Sequence, residues 1–256
     1  MTYEELLESH LQYGTTKEDI LKGKNFDKIR EDVVIAPWWG IEMFDILKAE
    51  VNQINSVLYD IKTKDQAFSF ICLKNVGAAG IIDKVLTLGV SKCKRLLFIG
   101  SAGSFDDEIN IGDIVIPEYS VVGDGTCRYL NKDLQDDFLT KQYPDASLTN
   151  DLIKIVESYK NIKHHIVPNY SIDTIFAQFA HVDFVKNLGC KSIEMETAVV
   201  FKAAKICNIK TTALFIVSDN TVINKSLYSG RTEDEEEYRH KVRFESVPNI
   251  ILELFK

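Results

Sequence analysis

Short apolar runs rich in β-branched and aromatic residues alternate along this chain with stretches whose apolar residues recur at helical spacing, and this alternation narrows the fold more than any other feature. Residues 33–36, 67–73, 95–99, 113–117, 164–167 and 211–217 read as strands. Between them, 41–51 carries Ile, Phe, Ile and Leu on one side, and 77–88 is amphipathic and closed by Gly89, which suits a left-handed cap. Residues 150–159 read as a helix capped by Asn150, and 232–255 as a charged-then-apolar helix interrupted by Pro248. Strands taken in turn with helices predict an α/β fold: a single three-layer αβα domain around a central mixed sheet. That domain is expected over 33–256, with 1–32 as an N-terminal helical appendage.

The 256 residues suffice for one sizeable core, and the formal net charge of −8 argues against a nucleic-acid backbone as partner. The five cysteines are scattered, with no C-x-x-C pair, and read as reduced thiols. The five histidines show no metal-ligand spacing. Glu4, Glu5 and Glu8 stand where a secretory leader needs a basic start, and no run of ~20 apolar residues offers a membrane span. The expectation is a cytoplasmic protein that contacts neither nucleic acid nor membrane.

Three segments hold groups suited to chemistry. Gly100-Ser101-Ala102-Gly103 follows an apolar strand, a pattern that fits a plain turn or a cradle of backbone N–H groups for an anion. It has neither the Lys-Ser/Thr of a P-loop nor G-x-G-x-x-G spacing. Glu194-Met195-Glu196 lies at the expected start of a helix whose apolar stripe includes Ala198, Val199 and Ala203. A carboxylate there could accept bonds from vicinal hydroxyls beside an adaptable thioether, or be a solvated acid favoured by the helix dipole. Asp219 ends an apolar strand, where desolvation would raise its pKa and a turn would instead bond it to backbone. Arg231 is close enough in sequence to tune Asp219. Trp38-Trp39 is either core packing or a stacking wall.

In their order and separation these segments resemble the nucleoside phosphorylase and nucleosidase superfamily, over roughly 33–255. The resemblance implies a nucleoside phosphorylase-like fold and cleavage of the bond between a ribose and a base. It places Gly100, Ser101, Ala102 and Gly103 on the nucleophile side, and Glu194, Met195 and Glu196 on the ribose. It makes Asp219 the general acid of a purine-specific enzyme, assisted by Arg231, and puts Ile175, Phe176 and Ser218 near the base. The segment Asp124 to Tyr129 matches a further element of the family.

Two departures bear on the nucleophile. The family's phosphorylases carry Gly-Asp-Pro-x-Arg after the first strand, where this chain has Ala36-Pro37-Trp38-Trp39-Gly40, and an arginine where this chain has Phe98. The expectation is nonetheless a pentosyltransferase of purine salvage that uses inorganic phosphate as cosubstrate, with no metal or organic cofactor, and forms a homo-oligomer, dimer or hexamer. The alternatives are a nucleosidase that activates water, with Glu42 as the nearby base, and a non-catalytic nucleoside-binding homologue. A pyrimidine substrate is a further alternative, suggested by Ser171-Ile172-Asp173-Thr174 and Val222-Ile223-Asn224-Lys225.

Overall fold

The computed structural model of the chain describes residues 1–256. Its centre is β1 (Asp32–Pro37), paired in parallel with β4 (Ala67–Leu73) on one side and β5 (Arg95–Ser104) on the other. Beyond β4 the antiparallel strands β2 (Glu50–Gln53) and β3 (Leu58–Lys62) form an edge hairpin. On the far side β5 pairs with β10 (Lys210–Asn220), and the sheet continues through β6 (Ile114–Gly123), β8 (His164–Ile172) and β9 (Ser192–Glu194). The short β7 (Lys141–Gln142) flanks β6. Because β9 also pairs with β5, the strands β5, β10, β6, β8 and β9 close into a ring, and only the β1 side remains an open sheet.

Alternate residues of a strand face opposite sides of the sheet, so these apolar runs supply two cores at once. Val33 and Ile35, Leu96 and Phe98, and Ala213 and Phe215 face one layer, with α3 (Ala78–Leu88) and α6 (Thr197–Ile206) packed against them. Val34 and Ala36, Leu97 and Ile99, and Leu214 and Ile216 face the other, covered by α4 (Ala146–Ser158) and α8 (Val247–Leu254). This is the expected three-layer αβα arrangement with a mixed sheet. A smaller cluster, including Tyr170, Ile193 and Val185 from α5 (Val182–Asn187), fills the side of the ring beside β9. The head, α1 (Tyr3–Gln12) and α2 (Lys17–Gly23), begins each helix with a Thr capping box. It is fastened to the body: Phe26 and Ile29 lie in the main core and Tyr3 Oη donates to Leu86 O at 2.6 Å.

Four local expectations are corrected. Residues 41–47 form a 3₁₀ helix that Lys48 ends in the left-handed region at φ 49°, and the chain then enters β2. Positions three apart share a face in a 3₁₀ helix as they nearly do in an α-helix, so Ile41 and Phe44 mimic the longer pattern. Helix α4 begins earlier than Asn150, because Asp145 Oδ1 accepts from Leu148 N at 2.9 Å and caps it. Gly89 caps α3 at φ −61°, not in the left-handed region. Pro248 does not break the last helix. It sits in the first turn of α8, after a π turn over Val242–Ser246 that joins α8 to α7 (Glu233–Lys241). The wider turn makes room for the ring, which would otherwise meet the Phe244 carbonyl four residues back.

Candidate active site

The carboxyl ends of β1, β5 and β10 converge with the β9–α6 junction on one cavity. The glycine segment that forms its floor is not a turn. Strand β5 continues through it to Ser104, paired with β10 along its length, while its pairing with β1 ends at Phe98 and that with β9 begins at Gly103. Gly100, Ser101 and Gly103 of that strand border the cavity, while Ala102 packs in the main core. The glycines keep the floor open: a Cβ on Gly100 would touch the Phe215 ring at 3.6 Å.

The two glutamates at the β9–α6 junction differ in what their carboxylates do. Glu194 Oε1 accepts from Asn169 Nδ2 at 2.8 Å and Ser171 Oγ at 2.6 Å, and Oε2 from the amides of Glu196 at 2.7 Å and Thr197 at 2.8 Å. Although Glu194 borders the cavity, its acceptors are spent inside the protein, and the ribose contact implied for it is corrected to the fastening of the α6 start. Burial raises the Glu194 carboxyl above the ordinary glutamate range, against these four donors, which favour its ionised form. Glu196, whose carboxyl accepts from Gly77 N at the entrance to α3, lines the cavity with Met195. Its pKa is pushed up to about 8 by burial and then by the charge of Glu194. The two acids titrate as a pair, and the hydrogen bonds of Glu194 put the shared proton on Glu196.

Asp219 reaches the cavity through a defect in the sheet. Pairing between β10 and β5 slips between Val217 and Asp219, so Ser218 is an extra residue and Asp219 stands opposite Gly103. Such a bulge re-aims the side chains that follow it. Burial raises the Asp219 carboxyl above the ordinary aspartate range, against the 2.6 Å bond from Ser218 Oγ and the charges of Arg231 and Arg239. Arg231 itself does not line the cavity. Its Nε pairs with Glu236 at 2.9 Å and its other nitrogens donate to the Ser218 and Leu227 carbonyls, so it acts on Asp219 only at a distance.

Residues 73–246, more than half of the chain, match the sequence profile of the phosphorylase superfamily. The chain belongs to that superfamily. A DeoD-type purine nucleoside phosphorylase of Hahella chejuensis is 29% identical over 163 residues, which cover 62% of this chain and 63% of that protein. The match thus spans less than two thirds of that relative's length. Among solved structures, a uridine phosphorylase of Vibrio fischeri ES114 superposes with a TM-score of 0.73 at 14% identity, over 90% of this chain and 92% of its own. The 5′-methylthioadenosine/S-adenosyl homocysteine nucleosidase of Campylobacter jejuni superposes at 0.68 and 18% identity, over 88% and 98%. The structural likenesses carry the superfamily fold.

Within this superfamily member, Ile175 lines the cavity but Phe176 points to solvent at 93% exposure, so the base-side assignment loses Phe176. Ser218 lines the cavity with its hydroxyl turned to Asp219. The segment Asp124 to Tyr129 does not line it. Asp124 caps the amides of Thr126 and Cys127, and Lys202 clamps the same segment through Cys127 O. Glu42 is exposed and lies outside the lining. Trp38 and Trp39 are both in the wall, Trp38 at φ 58°, a strained setting for a bulky residue. Three polar residues of the wall escaped sequence reading: Gln178, Arg239 and Arg243. The arginines sit one helical turn apart, a spacing that could have flagged them had Pro248 not suggested a broken helix.

Proposed function

We propose that the protein cleaves the N-glycosidic bond of a purine nucleoside with inorganic phosphate as nucleophile. The reading is carried by a buried, cavity-facing Asp219 placed across the same cavity from Glu196 and Met195. Glu196 and Met195 hold the ribose, Glu196 through its hydroxyls. As the bond from C1′ to the base nitrogen lengthens, positive charge grows on the sugar and electrons pass to the purine. Asp219, whose carboxyl burial shifts toward the protonated form, gives a proton to a ring nitrogen of the leaving base. A phosphate oxygen on the Ser101 side bonds to C1′, yielding free base and ribose 1-phosphate. Ile175, Gln178 and Phe215 provide the apolar and amide surfaces that face the base. We further propose that the chain works as a homo-oligomer.

Hydrolysis by water is the second reading, favoured by the segment Ala36 to Gly40 and by Phe98, which lack the phosphate-binding arginines of the superfamily's phosphorylases. The test is chromatographic: release of base from adenosine, inosine, guanosine, methylthioadenosine and uridine, with and without inorganic phosphate. Purine release that requires phosphate supports the proposal. Release at equal rates without it gives hydrolysis, and no release alongside nucleoside binding leaves a binding protein.

A further inference from the structure

We infer that Arg243, delivered to the cavity by the π turn of the last helix, is the guanidinium that holds the phosphate oxyanion. The inference rests on the reading that the cavity is a phosphorolytic nucleoside site, and it names a ligand that the loop after β1 and strand β5 do not supply. Side chains of the π segment Val242–Ser246 are turned relative to those of an unbroken α-helix, and such single wide turns concentrate at functional sites. Arg243 lies on that segment and borders the same cavity as Ser101, with its guanidinium carbon 4.6 Å above the Trp39 ring. Trp39 lies two residues past the end of β1, and β1 is paired with β5 up to Ile35 and Phe98, so Arg243 stands over the part of the wall where cationic phosphate ligands are missing.

The guanidinium is held but not neutralised. Its Nε is buried without a hydrogen-bond partner, and burial, then Arg239 beside it, disfavours its charge. Glu42 favours that charge yet closes no ion pair with it. Arg239, by contrast, has a carboxylate at 3.3 Å in Glu236. A half-buried guanidinium keeps its charge and needs acceptors, and a tetrahedral dianion offers two oxygens in the geometry of its planar fork. Stacking on Trp39 fixes the plane of the fork before the ligand arrives, which lowers the entropy lost on binding. Nothing comparable serves a neutral nucleophile: for water alone, the buried cation would raise the energy of the sugar cation forming beside it.

The test compares wild type with Arg243→Met, which keeps the stem against Trp39, and with Arg243→Lys, which restores charge without the fork. Both tryptophans of the chain line the cavity, so their fluorescence reads phosphate binding apart from turnover. With saturating purine nucleoside, Arg243→Met is expected to raise the KM for phosphate roughly 10- to 100-fold with the nucleoside KM within about 2-fold, and to weaken the phosphate-induced fluorescence change equally. Arg243→Lys should recover part of both. An unchanged phosphate KM and titration in folded Arg243→Met overturns the inference while leaving the phosphorolytic reading in place. If wild type releases base without phosphate, that reading fails. The titration then still decides: phosphate binding lost in the Met variant upholds Arg243 as an oxyanion ligand, and no phosphate binding by wild type overturns it. Running nucleoside 5′-monophosphates in parallel separates the remaining source. A KM effect confined to the monophosphates would show that Arg243 grips a substrate's own phosphate and overturn the assignment to inorganic phosphate.

Discussion

A Cβ added to Gly103 would lie 2.8 Å from Oδ2 of Asp219, so the glycine of β5 holds open the space in which the acid stands. The bulge at Ser218 puts the two residues opposite each other across the β5–β10 pairing. Gly103→Ala should therefore turn the Asp219 side chain with little backbone strain, since Gly103 is not among the residues with positive φ. We expect kcat to fall at least about 10-fold with a Tm change of only a few degrees, the pattern of a misplaced catalytic group. Steady-state kinetics beside a thermal melt checks it. A large Tm loss with proportionate inactivation would mean that the contact is structural.

Asp219→Asn removes the proposed proton donor and keeps the shape. Purine nucleoside turnover should drop by about 10²- to 10⁴-fold while the nucleoside dissociation constant changes little. A substrate whose leaving group needs no protonation, such as a nitrophenyl riboside, should be cleaved by the variant at close to the wild-type rate. Equal losses on both substrates would remove Asp219 from the acid role.

Glu196 ties stability to pH. Its folded-state pKa is raised, so from about 4.5 to about 8 the folded state holds a proton that the unfolded chain releases. Stability then falls as pH rises through that window, and the slope vanishes below it, where both states are protonated, and above it, where both are ionised. Glu196→Gln should abolish this component and raise Tm at pH 8, with little gain at pH 4.5, while weakening nucleoside binding. Melts at the two pH values decide the matter, and an equal shift at both would contradict the protonation assigned to Glu196.

The neighbouring acid should respond with the opposite sign. In Glu194→Gln the amide nitrogen must face either the Asn169 and Ser171 donors or the backbone N–H groups of Glu196 and Thr197. One pair of donors loses its acceptor, at a cost of about 1–3 kcal/mol. Chemical denaturation of Glu194→Gln should show this loss at every pH from 6 to 8. A stabilised variant would mean that Glu194, not Glu196, carries the shared proton.

The layers were legible in the sequence because each apolar strand run feeds two cores, a pattern that survives errors at element ends. The edge hairpin of β2 and β3 was not legible, since β2 is an exposed strand with no buried face to set a period. Closure of the ring depends on β9, three residues long, pairing with both β5 and β8, and nothing local announces so short a strand. At the site, Asp219 could be found because it ends an apolar strand, and Glu196 because it stands at the start of an apolar helix. The division of labour between Glu194 and Glu196 could not, because Asn169 and Ser171 come from a distant strand. Arg239 and Arg243 stayed hidden for a local reason: Pro248 reads as a helix breaker, whereas the π turn before it lets the helix pass and brings Arg243 to the cavity.

Phosphorolysis at the cavity shared by Ser101, Glu196 and Asp219 can be followed by phosphorus NMR of a reaction with inosine and inorganic phosphate. A ribose 1-phosphate resonance should grow in step with free hypoxanthine while the inorganic phosphate signal declines, and should be lost with Asp219→Asn. Hypoxanthine released with free ribose and an undiminished inorganic phosphate signal would contradict phosphorolysis.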